Sequence, residues 1–175
     1  MIIICAVIYP LATFCVAQLL PSRGLGETLT HKGKKHYVHI AQRFNDDRYF
    51  QSRPSAVSYN AAGSGGSNKG PSEAGYLKDI QIRIDTFLKH NPSVKKSAIP
   101  VDLVTESGSG LDPHISVKAA EVQFSRIAQL HGIKEQQLRY LLQQQVEAPL
   151  FGLFGPSKVN VLHLNIALDK LIESR

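Results

Sequence analysis

Ser109, Asp112 and His114 bring the residue types of a hydrolytic triad into one short stretch. Their spacing argues against that chemistry. Triads are assembled from separate parts of a fold, and a nucleophile elbow reads GxSxG. Neither Ser107 nor Ser109 stands in that frame. The stretch reads instead as a turn in which Asp112 bonds nearby backbone and Pro113 fixes the chain. A phosphate loop is next. GxxxxGK[ST] needs a hydroxyl for magnesium after its lysine, but Gly70 follows Lys69. The dinucleotide spacing GxGxxG is also missing from Gly108-Ser109-Gly110-Leu111-Asp112-Pro113, which leaves only a minor anion-holding reading for backbone amides. His36 and His39 suit one helical face and His31 lies nearby, yet no carboxylate or cysteine joins them closely. Lys32, Lys34 and Lys35 would repel a cation there. No carboxylate pair stands out. The residues point to no catalytic centre and no metal site, hence to an interaction role.

The elements that would position these groups are mostly helical. Tyr37–Phe44 reads as a short helix with Val38, Ile40, Ala41 and Phe44 inward. Residues 51–72 form a loop, flexible at Gly63–Ser67 but flanked by Arg53, Pro54, Tyr59, Asn60, Asn68 and Pro71. Glu73–His90 is an amphipathic helix stopped by Asn91-Pro92. Val101–Thr105 fits a strand, and Glu106–His114 a glycine-rich turn. Ser116 caps a helix over Val117–His131 that Gly132 ends. Lys134–Val146 is a further helix, Val159–Leu162 a strand and Leu164–Ile172 a terminal helix. The class is α+β.

The 175 residues suit one domain with an appendage. Met1–Leu20 has no charged side chain, whereas the chain from Pro21 onward is polar, so the mean hydropathy of −0.11 averages two unlike parts. As a helix, residues 1–20 would span about 30 Å, the thickness of a bilayer's hydrocarbon core. The expectation is a single N-terminal transmembrane helix over 1–20, then a basic juxtamembrane segment and short helix over 21–50. An α+β domain over 51–175, with a Gly/Ser-rich loop at 60–72, completes it; the side of the membrane stays open at this point, since Arg23, Lys32, Lys34 and Lys35 follow the apolar run. The alternative is a secreted periplasmic binding domain released by signal peptidase after Ala17, for which Cys15-Val16-Ala17 is a passable cleavage site. Both cysteines lie in the apolar run, so no disulfide framework exists in the polar part. The net charge of +6 is concentrated in Pro21–Phe50, with six basic and three acidic residues. With no Trp and no aromatic ladder among the basic residues, nucleic acid is not an expected partner.

Several stretches in order carry a resemblance. They are Tyr49-Phe50-Gln51-Ser52-Arg53-Pro54-Ser55-Ala56, then Tyr59-Asn60-Ala61-Ala62-Gly63-Ser64-Gly65-Gly66-Ser67-Asn68 with Gly70-Pro71-Ser72. Ser107-Gly108-Ser109-Gly110-Leu111-Asp112-Pro113-His114-Ile115-Ser116, Val159-Asn160-Val161-Leu162 and Asn165-Ile166-Ala167-Leu168-Asp169 follow, and Tyr9-Pro10-Leu11 sits in the apolar start. Together they resemble the C subunit of the bacterial Kdp-type potassium-transporting ATPase, over essentially the whole chain. Gln51 and Ser52 replace a Trp and a Gly usual in that family, and Met1 starts inside the apolar run, which that family usually precedes with a short charged segment.

The resemblance implies a non-catalytic accessory subunit of an ATP-driven potassium-uptake complex. It would promote assembly and raise the ATP affinity of the catalytic P-type ATPase subunit, so ATP enters by resemblance alone. The implied partners are a potassium-conducting subunit, that catalytic subunit, a small hydrophobic subunit and membrane lipid. The implied location is the bacterial inner membrane, single-pass, with the bulk of the chain periplasmic. Arg23, Lys32, Lys34 and Lys35 oppose that orientation under the positive-inside rule; a start site downstream of the charged leader reconciles the two. Arg53, Asn60, Asn68, Asp112 and His114 offer directed hydrogen bonds from small-residue loops. They are the candidates either for partner contact or for fixing the loops within the domain.

Overall fold

The structure is a computed structural model that describes residues 1–174. The chain divides into two compact units, Met1–His39 and Ile40–Arg175.

In the first unit a π-wound turn, Ile4–Ile8, runs into helix α1, Tyr9–Gln18. Pro10 has no N–H to donate to the Ala6 carbonyl, and its ring crowds the preceding turn, so the backbone widens there. The two segments hold 5 and 10 residues. At about 1.5 Å per residue they reach about 22 Å, short of the roughly 30 Å hydrocarbon core. Among the described residues no helix is long and apolar enough to cross a membrane, which corrects the expected single transmembrane helix.

The expected helix at Tyr37–Phe44 is also absent. Strand β1, Thr28–His31, instead pairs antiparallel with β2, Lys34–Tyr37, in the register His31↔Lys34. Lys32 and Gly33 both have positive φ (48° and 74°), the geometry of a two-residue hairpin turn whose twist matches its strands.

The second unit begins its regular structure at α2, Ala74–His90, of which only Phe87 is buried. Val101–Leu103, expected as strand, is a 3-10 turn behind Pro100. The Asp102 carboxylate explains it by accepting from the Ser116 amide at 2.7 Å and the Ser116 hydroxyl at 3.2 Å. Strands β3 (His114–Ser116), β4 (Val146–Glu147) and β5 (Lys158–Asn160) form an antiparallel sheet in the order β3-β5-β4. Helices α3 (Val117–Glu121), α4 (Phe124–His131), α5 (Glu135–Gln145) and α6 (Val161–Glu173) complete the unit. The strands pair only antiparallel, in two small sheets, and the helices outnumber them, so the class is α+β.

The single helix expected over Val117–His131 is broken at Val122-Gln123. The Gln123 side-chain amide takes the Ala119 carbonyl at 2.9 Å, the acceptor its own backbone N–H would use in an α-helix. That N–H turns to Ala120 instead, at 3.1 Å. Ser116 does cap α3, accepting from the Ala119 amide, and Gly132 closes α4 in the left-handed conformation. Asn160 accepts from the Leu162 and His163 amides, so α6 starts at Val161, inside the stretch expected to be strand. Phe50, Ile115, Phe124, Ile127, Leu138, Leu142, Val159, Leu164 and Leu168 fill the core.

Candidate functional site

Two glycine- and serine-rich loops, residues 51–72 and 106–114, are interlocked. The Ser55 hydroxyl donates to the Gly110 carbonyl at 2.5 Å and accepts from the Tyr59 amide at 2.9 Å. The Gly65 amide and the Ser64 hydroxyl donate to the Ser109 carbonyl at 2.9 and 3.1 Å. The Ser107 amide reaches the Pro54 carbonyl at 3.3 Å. Small residues are required by the closeness of the backbones. A Cβ on Gly66 would stand 3.1 Å from the Gly108 carbonyl oxygen. At Gly110, with φ +68°, it would stand 2.7 Å from Val57 Cγ2 and 2.9 Å from the Gly65 oxygen. The Gly63–Ser67 stretch, expected to be flexible, is thus tied by hydrogen bonds to the second loop.

Arg53 crosses between the loops, donating to Asp112 at 3.2 Å and to the Glu106 carbonyl at 3.3 Å. Asp112 Oδ1 accepts from the His114 amide at 3.0 Å and lies 3.3 Å from His114 Nδ1. On the other side of the ring, Nε2 is 3.4 Å from Glu147, which lies 3.4 Å from Lys158 Nζ. The result is a continuous line of polar contacts: Arg53, Asp112, His114, Glu147, Lys158. Burial raises the Asp112 pKa, but bonds from the His114 ring and amide, with the charge of Arg53, outweigh it and hold the carboxyl below its ordinary value. Four of these residues line a cleft of about 530 Å³ with Asp102 and Ser116.

The structure therefore joins Arg53, Asp112 and His114 and leaves Asn60 and Asn68 outside this line of contacts. Asn60 closes a local turn, its side-chain oxygen accepting from Ala62 at 3.0 Å. Asn68 is exposed, with φ 54°. The Ser109 hydroxyl accepts the Leu111 amide at 3.1 Å and serves the turn.

Sequence reasoning missed the buried groups that hold the start of the first loop. Arg126 of α4, 6% exposed, donates to Asn91 at 2.9 Å, to Gln123 at 2.8 Å, to the Tyr49 carbonyl at 3.1 Å and to the Asp47 carbonyl. Burial lowers its pKa, opposed by Asp47 and Asp46. Asn165 of α6 brackets Phe50, accepting from its amide at 2.8 Å and donating to its carbonyl at 3.0 Å. Gln123 accepts the Gln51 amide at 2.8 Å, and the Tyr49 hydroxyl donates to Asp169 at 2.8 Å. The available signal was polar side chains at inward helical positions, which buried polar groups occupy only when partnered.

The family model described as K+-transporting ATPase, c chain (KdpC), matches residues 1–170. The chain belongs to the KdpC family. Among curated relatives, the potassium-transporting ATPase KdpC subunit of Flavobacterium johnsoniae is 52% identical over 97% of this chain and 92% of its own. The KdpC subunit of Bacteroides fragilis is 44% identical over 95% of this chain and 89% of its own. That of Bacillus cereus is 41% identical over 98% and 91%. The interlocked loops and the polar brackets beneath them are thus features of a KdpC chain.

Proposed function

We propose that this KdpC chain is a non-catalytic accessory subunit of an ATP-driven potassium-uptake complex. The observation that carries the reading is the family match through residues 1–170. The loops add to it. Ser109 is engaged with Leu111, and Asp112 and His114 with each other, with Arg53 and with Glu147. Groups committed in this way hold a surface in shape.

On this reading the catalytic centre lies on another chain. The partners are a potassium-conducting subunit, the catalytic ATPase subunit and a small hydrophobic subunit, all at the bacterial inner membrane, with residues 40–174 on the periplasmic side. Arg53, Asp112 and His114 brace the loops, and Asn60 and Asn68, on the outer turns, contact the conducting subunit. The chain promotes assembly and raises the ATP affinity of the catalytic subunit without holding nucleotide itself. A periplasmic unit cannot touch cytoplasmic ATP, so the effect is a coupling free energy between sites; a tenfold change in affinity needs about 1.4 kcal/mol. Release after Ala17 is not favoured, because the family match runs through the apolar start. The test is to express the chain with its complex and purify through it. Asn60→Ala combined with Asn68→Ala lowers the yield of complex while the chain stays folded; a wild-type yield overturns the contact assignment.

A further inference from the structure

His114 stands at the centre of the line of contacts, and the carboxylate oxygens on either side of its ring are divided in the same way. Asp112 turns Oδ2 to Arg53 at 3.2 Å and Oδ1 to His114 Nδ1 at 3.3 Å. Glu147 turns Oε2 to Lys158 Nζ and Oε1 to His114 Nε2, each at 3.4 Å. Each carboxylate thus gives one oxygen to a permanent cation and the other to the imidazole. A neutral imidazole carries one N–H and an imidazolium two. With the ring neutral, one of its nitrogens presents a lone pair to a carboxylate oxygen. With the ring protonated, both nitrogens donate and both contacts are charge-assisted.

The charges around the ring come from every element packed against it. Arg53 reaches in from the first loop, Asp112 from the second, Glu147 from β4 and Lys158 from β5. Asp102, on the 3-10 turn, lines the same cleft and accepts from the Ser116 amide and hydroxyl. Three carboxylates therefore meet two permanent cations, and a proton on His114 brings the cluster to neutrality. The His114 side chain is 16% exposed, so these charges are screened less than on open surface. The cleft of about 530 Å³ that the ring lines gives a proton its path. Asp112, its carboxyl held below the ordinary value, stays ionised across the range between about pH 5 and 8 in which an imidazole changes charge.

The contact with Glu147 joins separate elements. β4 has 2 residues, and its register with β5 holds only Val146↔Val159 and Glu147↔Lys158. So short a strand has little backbone pairing to hold it, and such segments open first. His114, on β3, reaches across β5 to Glu147 on the far edge strand.

We propose that His114 is a proton-operated latch between the second loop and β4: protonation completes the contact with Glu147 while that with Asp112 is kept, and fastens the edge strand to the interlocked loops. The fastening is present in acid and is lost as pH rises through the range in which the ring gives up its proton. A double-mutant cycle of His114→Gln and Glu147→Gln, read by urea unfolding of the full-length protein in detergent, isolates this contact and cancels the titration of the other histidines. At about pH 5.5 the pair is coupled by about two- to five-fold in the unfolding equilibrium constant, the range of a partly exposed ion pair, and at about pH 8 the coupling is gone. Hydrogen exchange of the parent gives a local reading that needs no variant. Protection of residues 146–147, corrected for the intrinsic pH dependence of exchange, falls between the same two pH values, and in His114→Gln it does not change. Coupling of equal size at both pH values, or absent in acid, overturns the latch. Protection in the parent that pH leaves unchanged overturns it as well.

Discussion

Gly110→Ala tests the interlock between the two loops, and the structure supplies both its magnitude and its control. The new Cβ would stand 2.7 Å from Val57 Cγ2, 2.9 Å from the Gly65 carbonyl oxygen and 3.3 Å from Ser55 Oγ. Two of these neighbours are side-chain atoms, but the Gly65 oxygen belongs to the facing loop's backbone and yields only if that loop shifts. Left-handed backbone costs an L-residue about 1–2 kcal/mol, and overpacking a tight site adds about 1–3 kcal/mol. The expected loss is therefore about 2–5 kcal/mol, a large share of the roughly 5–15 kcal/mol that stabilises a typical domain. Gly132→Ala separates the two contributions. Gly132 has φ +62°, close to that of Gly110, but nothing lies within 4 Å of its Cβ, so only the backbone cost of about 1–2 kcal/mol applies. The assay is urea unfolding of both full-length variants beside the parent in the same detergent, with midpoints compared at unchanged slope. Gly110→Ala must fall further than Gly132→Ala. Equal losses would refute the close approach of residues 65 and 110.

Asn165→Leu removes both bonds that bracket Phe50; leaving a buried donor and acceptor unpaired costs about 1–3 kcal/mol each, measured as a fall in thermal midpoint. Arg126→Met frees Asn91, Gln123 and the carbonyls of Asp47 and Tyr49 at once. It should destabilise by about 3 kcal/mol or more and speed proteolysis near residues 47–51, checked by cleavage-site mapping. The Asp112 carboxyl is held below its ordinary value, so its stabilisation is complete above the unfolded pKa, near 4, and is lost as pH falls through the lower folded one. Acid titration of unfolding should therefore be shallower below about pH 4 for Asp112→Asn than for the parent. Asp46 is lowered to about 2 by its bonds to Arg48 but is exposed, and Asp46→Asn should change that slope little.

What was legible in the sequence was whatever local chemistry decides. Ser116 and Gly132 mark helix ends by capping and by left-handed geometry, and both act within a few residues. Pairings between distant segments were less legible. Gln123 breaks the helix because its amide replaces its own backbone N–H at Ala119, and its oxygen collects Gln51 from 72 residues away. Asp102 draws Val101–Leu103 into a turn through Ser116, although the β-branched composition alone favours strand. The hairpin over 28–37 was hidden because Val38, Ile40, Ala41 and Phe44 suited the inward face of a helix from Tyr37, whereas the Lys32-Gly33 turn pairs Thr28–His31 with Lys34–Tyr37 just before it. Composition was read over residues 1–20 as one span, but Pro10 divides the winding and α1 ends at Gln18. Among the site residues, Arg53, Asp112 and His114 were visible as polar groups on small-residue loops. Their common line of polar contacts depends on Glu147 and Lys158, which only the β4–β5 pairing brings alongside.

The most direct test of the account is purification of the tagged full-length chain from native membranes, with its companions identified by mass spectrometry. The account predicts that a potassium-conducting subunit and a P-type ATPase subunit elute with it in constant ratio, and that the ATPase has a lower KM for ATP with the chain present than without it. A chain that elutes alone, from membranes in which both other subunits are detected, would contradict it.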